Sequence, residues 1–247
     1  MDHSSNRSDA TLSALGRLGF FAFAFTLAIA IGLTGPAGTT ASVSRAVEQT
    51  ADVEFRSSGG LLLRGRQYGH GARWVILVHD QGQDSRAWRG LPVQLSRQGF
   101  RALAFDLRGY GASDGPRDVS RVRADVAAAL RFARSRGARQ LYVIGAGIGA
   151  GEAVVAAENY PIRAFVALSP RASRRAGLEQ TRAPKLIFVG SLDDRAAARA
   201  DEFFRRSIGF ATLNSTPVDA QGTDLLGSSW GAEVRELIVL FLQDYLA

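Results

Sequence analysis

The ten residues Leu141–Ala150, LYVIGAGIGA, decide how this chain is read. Leu141 to Ile144 form a short continuous apolar run of β-forming residues, the pattern of a strand buried on both faces. Gly145, Gly147 and Gly149 then crowd one turn, and helical character begins at about Ile148. Two chemistries use a strand that passes through a tight glycine turn into a helix. In the first, Gly145, Gly147 and Ala150 match G-x-G-x-x-G/A, where N–H groups at a helix start hold a dinucleotide pyrophosphate. That use also needs an acidic residue about 20 positions on, at the end of the next strand. Here the next strand ends Ala167-Leu168-Ser169, and no Asp or Glu occurs between Glu158 and Glu179. Dinucleotide binding at Gly145–Ala150 is therefore the remote reading. In the second, a serine stands between two glycines, G-x-S-x-G, on the same kind of turn. The chain keeps Gly145 and Gly149 and has Gly147 at the serine position.

Working outward, apolar runs alternate with helical periodicity on both sides of this turn. Asp52–Arg56 and Leu61–Gln67 flank Ser57-Ser58-Gly59-Gly60 and predict a β-hairpin. Strands are expected at Trp74–Val78, Ala102–Phe105, Ala164–Leu168, Leu186–Val189 and Ala211–Ser215. Helices are expected around Trp88–Leu95, across Val119–Leu130 with a stop at Gly137, and across Ala196–Phe204. Val234, Leu237, Ile238, Phe241, Leu242 and Tyr245 predict a closing amphipathic helix. Such alternation needs crossover connections, hence a mostly parallel sheet with helices on both faces. Ligands of these sheets sit at the carboxyl ends of the strands.

Composition narrows the chemistry. The 247 residues, 46% hydrophobic, suit one globular domain, and the absence of cysteine excludes disulfides, thiolate metal sites and a cysteine nucleophile. With His3, His70 and His79 as the whole histidine complement, no multi-histidine metal site can be written, and neither metal nor cofactor is expected. The formal charge of +7 comes mainly from arginines scattered among alanines, Lys185 being the sole lysine. That scatter argues against a nucleic-acid partner and leaves association with anionic envelope components as an alternative. At the start, Arg7 and Arg17 precede an uncharged run, Leu18–Leu33, and small residues follow through Ala41. Residues 1–41 are read as a signal peptide cleaved near Ala41 or as an N-terminal membrane anchor through residues 18–33. Both place the domain at 50–247 outside the cytoplasm. Removing the leader takes away two charges of each sign and leaves +7.

Several segments together carry a family resemblance. Leu77-Val78-His79-Asp80 resembles the strand-end HG segment of α/β-hydrolases, and Asp106-Leu107-Arg108-Gly109-Tyr110-Gly111-Ala112-Ser113 resembles their D-x-R-G-x-G-x-S loop. Gly190-Ser191-Leu192-Asp193 resembles the G-x-x-D that carries the catalytic acid, and Gln221-Gly222-Thr223-Asp224-Leu225-Leu226 resembles H-G-T-D-L-L with the histidine replaced. The resemblance runs in order from about residue 52 to the end. It implies an α/β-hydrolase fold with a minimal lid, because only Pro170–Ala183 separates two core strands.

In that family a serine attacks an acyl carbon, a histidine takes its proton and an acid orients the histidine. The resemblance assigns the nucleophile position to Gly147, the base position to Gln221 and the acid position to Asp193. It assigns the oxyanion donors to the backbone N–H groups of Gln81 and Ile148. Gly147 has no attacking atom, the Gln221 amide does not titrate near neutrality, and no histidine follows residue 79. Asp193 then has no imidazole to orient; a solvated or structural carboxylate is the competing reading. Asp80 brings a carboxylate to the loop that would oppose a developing oxyanion. His79 is expected to pack at its strand end, His70 to face solvent, Ser113 to be structural and Ser169 to be a turn residue. Glu152 is expected to point away from the turn. The expectation is an exported or membrane-tethered protein, catalytically silent as a serine hydrolase, that binds a small molecule or an envelope component. The alternative is an active hydrolase of small ester or acyl substrates with a non-standard site. A Gly147→Ser, Gln221→His double variant is expected to regain ester cleavage if the frame of the site persists.

Overall fold

The computed structural model describes residues 49–171 and 181–246. The leader, and with it the choice between signal and anchor, lies outside the described residues, as does most of the Pro170–Ala183 connection. Among the described residues no helix is long and apolar enough to cross a membrane.

Eight strands form one sheet: β1 Thr50–Arg56, β2 Leu62–Tyr68, β3 Arg73–Val78, β4 Arg101–Phe105, β5 Gln140–Ala146, β6 Ile162–Leu168, β7 Lys185–Gly190 and β8 Ala211–Thr216. Their spatial order is β1-β2-β4-β3-β5-β6-β7-β8. The hairpin β1–β2 joins β4 antiparallel, and every pairing from β4 to β8 is parallel. Among the described residues five α-helices cover it: α1 Leu91–Arg97, α2 Val122–Ser135, α3 Ile148–Ala156, α4 Asp194–Arg206 and α5 Gly231–Asp244. The hairpin, the core strands and the helices fall within about three residues of the positions expected from periodicity; Val119 lies in a 3-10 turn, Val119–Arg121, ahead of α2, and the larger departure is Trp88. It belongs to a separate short 3-10 turn, Ser85–Trp88, because Gly90 and Pro92 interrupt a continuous helix there.

The two-residue period of the strands divides the core in two. Trp74, Ile76 and Val78 of β3 face one apolar layer with Val126 and Leu130 of α2, Val154 of α3 and Phe203 of α4. Val75 and Leu77 face the opposite layer with Leu91 and Leu95 of α1 and Ile238 and Leu242 of α5. A large apolar side chain on either side contributes about 1.5–3 kcal/mol by leaving water, and a one-residue slip of β3 would put each side-chain set into the layer packed around the other. This two-sided burial fixes β3, β5, β6 and β7 in register and brings their carboxyl ends to one rim.

Beside the rim, the Asp106–Ser113 loop is held from within. Asp106 accepts the Ser85 N–H at 2.7 Å and the Ala112 N–H at 2.8 Å, while Ser113 Oγ donates to Asp106 O at 2.6 Å. Arg108 reaches back to α2, where its Nη2 lies 2.6 Å from Oδ1 of the fully buried Asp125. Ser57 Oγ donates to the same oxygen at 2.6 Å. A buried charge of this kind persists because it is both paired and hydrogen-bonded.

Lys185, also fully buried, opens β7 at the opposite end of the strand. Its ammonium donates to the carbonyls of Thr181, Ala183 and Ile208 at 2.7, 3.0 and 2.9 Å. Burial pushes its pKa down to about 8.

Candidate active site

At the centre of the sheet β5 turns into α3 through Gly147, whose φ of 53° and ψ of −121° belong to glycine's territory. The turn is gripped by the segment after β6: Gly147 N–H donates to Leu168 O at 3.0 Å, and Arg171 N–H donates to Gly147 O at 2.9 Å. The flanking glycines are required by close approach. A Cβ on Gly145 would overlap Ala150 of α3, and one on Gly149 would overlap the carbonyls of Val78 and His79. Strand, turn and helix are thus pressed together against the end of β3.

That pressure brings Asp80 to the turn. Asp80 Oδ1 accepts the Gln81 N–H at 2.7 Å, the Ile148 N–H at 2.9 Å and Arg171 Nη2 at 2.6 Å. The two N–H groups assigned from sequence as oxyanion donors therefore converge on one oxygen, and that oxygen belongs to the protein. A Cβ on Gly147 would overlap Cγ and both oxygens of the same carboxylate. Asp80 fills the space that a side chain at 147 would need.

The other expected site residues are divided between this cluster and its surroundings. Gln221 follows β8, and its Nε2 donates to Gly190 O at 3.3 Å. Its Oε1 is buried without a hydrogen-bond partner among the described residues. The next residue, Gly222, borders the cluster, since a Cβ there would stand 3.7 Å from Asp80 Oδ2. Thr223 Oγ1 donates to Gln83 Oε1 at 2.6 Å and ties this turn to the loop after β3. Asp193 turns to its own helix: it is the N-cap of α4 and accepts the Ala196 N–H at 3.0 Å.

His79 is fully buried, with Nδ1 2.7 Å from Asp80 O and Nε2 accepting the Leu107 N–H at 2.9 Å. Because Nε2 is an acceptor, the ring is neutral with its proton on Nδ1, and burial holds its pKa below the ordinary histidine value. Both nitrogens are committed to backbone, so this imidazole has no free lone pair for a substrate proton. His70 is exposed, and Glu152 of α3 is buried 3.8 Å from Arg123 on the α2 side. Ser169 sits after β6 with a φ of 44°, and its buried Oγ has no hydrogen-bond partner among the described residues.

Sequence reasoning noticed Asp80 only as a charge opposed to an oxyanion and gave Arg171 no role. A lone carboxylate directly after a buried strand was the available signal, since such a charge needs a partner. Nothing local marked Arg171 among so many arginines. A cavity of about 480 Å³, lined in part by Asp52, Arg66, Tyr68 and Arg86, shares no lining residue with this cluster.

An open, largely parallel sheet with a sharp strand–turn–helix at its centre, loops gathered at the carboxyl ends and donors converging beside the turn is the architecture of α/β-hydrolases. Residues 75–245 match the alpha/beta hydrolase family, and the chain belongs to it. Among curated proteins it is similar to Protein ABHD14A of Rattus norvegicus, with 27% identity over 203 residues, 78% of this chain and 81% of that protein. ABHD14A of Mus musculus is 28% identical over 130 residues, 50% of this chain, and the match spans about half (53%) of that protein's length. Among solved structures, the Pyrococcus furiosus esterase Pf2001 superposes with a TM-score of 0.70 at 18% identity, covering 81% of this chain and 92% of that one. At that identity the likeness shows the fold alone.

Proposed function

We propose that this chain is a hydrolase-fold protein that does not perform serine-hydrolase chemistry and acts by binding a small molecule or an envelope component at the rim of its sheet. One observation carries the reading: the Asp80 carboxylate occupies both the place of an attacking side chain and the two N–H groups that would stabilise an acyl oxyanion. Acyl transfer needs that pocket empty when negative charge develops on the substrate. With Asp80 in place, a second negative oxygen would meet an existing one, and the same repulsion opposes a dinucleotide pyrophosphate at this helix start. The buried His79 cannot replace the base, because both its nitrogens are spent on backbone. Export or tethering through residues 18–33 belongs to this proposal, as does delivery of the domain to an envelope rich in anionic groups.

The rival reading, an ester hydrolase with a non-standard site, draws on Ser169, whose hydroxyl is buried, unpartnered and held at positive φ beside the turn. Backbone strain of this kind gathers at functional sites. A fluorophosphonate probe with short p-nitrophenyl esters separates the two readings. The expected result is no labelling and no ester turnover above buffer, against an active esterase run in parallel. Labelling that disappears in Ser169→Ala would overturn the silent reading. The geometry also revises the expectation for the Gly147→Ser, Gln221→His double variant. The new serine side chain would overlap Asp80, so restored cleavage requires Asp80 to be shortened as well.

A further inference from the structure

We propose that the N–H groups of Gln81 and Ile148 and the Arg171 guanidinium form a receptor site for small carboxylates, with Asp80 as its tethered occupant that excludes external ligands until its side chain turns away. The proposal deepens the binding reading above and rests on it. Three donors from three separate segments meet on one oxygen, at 2.7, 2.9 and 2.6 Å. The Ile148 N–H is the first of α3 and has no acceptor within its helix, and the guanidinium adds a full positive charge. Charge-assisted bonds of this length are those a carboxylate makes. The chemistry the site accepts is therefore displayed by its occupant.

Room and access are built into the surrounding chain. Gly147 and Gly222 border the carboxylate: a Cβ on the first would overlap it, and one on the second would stand 3.7 Å from Oδ2. Two missing side chains thus leave a slot of carboxylate width. The Asp80 side chain is 18% exposed and that of Arg171 39%, so the pair faces solvent and Asp80 can rotate without disturbing the core. All three hydrogen bonds named here fall on Oδ1. Ser169, two residues before Arg171, carries a buried hydroxyl with no hydrogen-bond partner among the described residues.

An uncharged ester or amide carbonyl is a poor competitor for Arg171, whereas a free carboxylate offers the same chemistry as Asp80 without its tether. A tethered group competes at an effective concentration of about 1 mM or more. Removing it should tighten external carboxylate binding at least about tenfold wherever the intrinsic dissociation constant lies well below that level.

The test uses the full chain, sodium acetate and sodium benzoate as probes, and sodium chloride at equal ionic strength as control. Thermal melts and titrations followed by amide NMR are compared for the parent, Asp80→Ala, Asp80→Asn and Asp80→Ala/Arg171→Gln. Asp80→Ala is expected to bind acetate at least tenfold more tightly than the parent, with the Gln81 and Ile148 amides shifting on titration. The double variant is expected to lose that gain. A folded Asp80→Ala that binds no more tightly than the parent overturns the proposal. So does binding that survives loss of Arg171 or leaves both amides unmoved. If Asp80→Ala does not fold, Asp80→Asn decides, because its neutral amide must still yield to acetate more readily than the parent carboxylate does. Labelling by the fluorophosphonate probe would sink the silent reading without touching this result, whereas a failure of acetate sinks the present proposal alone.

Discussion

Replacing Gly147 by alanine should destabilise the protein both through backbone strain and through Asp80, and a double-mutant cycle isolates the Asp80 contribution. At φ 53° and ψ −121° a non-glycine residue costs about 1–3 kcal/mol in backbone strain. That cost is the same whether or not Asp80 is present. In the parent the new Cβ also falls inside 3.0 Å of the carboxylate, closer than real Cβ atoms approach their neighbours. Forcing a side chain into filled space costs about 1–3 kcal/mol. Pushing the carboxylate aside further weakens bonds to Gln81, Ile148 and Arg171, each a charged hydrogen bond of about 1.5–3 kcal/mol. Gly147→Ala should therefore cost about 3–5 kcal/mol in the parent and about 1–3 kcal/mol in the Asp80→Ala background, the latter being strain alone. The coupling is about 2 kcal/mol, well above the 0.5 kcal/mol or so within which independent sites add. Urea denaturation followed by far-ultraviolet circular dichroism of the four proteins measures it. A coupling indistinguishable from zero would refute the placement of the carboxylate in the side-chain space of residue 147.

Two further outcomes follow from residues around the cluster. His79 is neutral and buried with a lowered pKa, so as pH falls through about 6.5 the unfolded chain takes up a proton that the folded chain resists. The His79 contribution is complete above that pH and declines below it, so melting temperatures of the parent between pH 7.5 and 5.5 should fall more steeply than those of His79→Gln; equal slopes would contradict the neutral assignment. Asp193→Ala removes the cap of α4 and should cost about 1 kcal/mol while leaving acetate titrations of the Asp80→Ala protein unchanged; altered Gln81 or Ile148 amide shifts would show that Asp193 acts at the rim after all.

The element pattern was legible because it depends on local chemistry. The continuous apolar runs of β3 and β5 and the glycine stops after α1 and α2 announce a parallel sheet before any contact is known. Equally legible are Gly147 and Gln221 at the positions that the resemblance gives to serine and histidine, because no histidine follows residue 79 in the chain. The Asp125 partner of Arg108 was not legible. Its carboxylate sits on an otherwise apolar helix face, and only the packing of α2 under the Asp106–Ser113 loop closes the pair. For Asp193 the sequence left an acid position and a structural carboxylate side by side, and only the structure shows the carboxylate capping α4, which satisfies that helix without any reference to the rim.

From sequence alone come the class of fold and the residues Gly147 and Gln221 at the positions where the resemblance places a serine and a histidine, since residue identity and order fix both. Only the tertiary structure decides what stands in their place. Asp80, Ile148 and Arg171 are far apart in the chain, and three sheet strands, β3, β5 and β6, must pair before their ends deliver one carboxylate to two backbone donors and a guanidinium. No periodicity encodes that meeting, because it arises from the close approach that Gly145 and Gly149 permit.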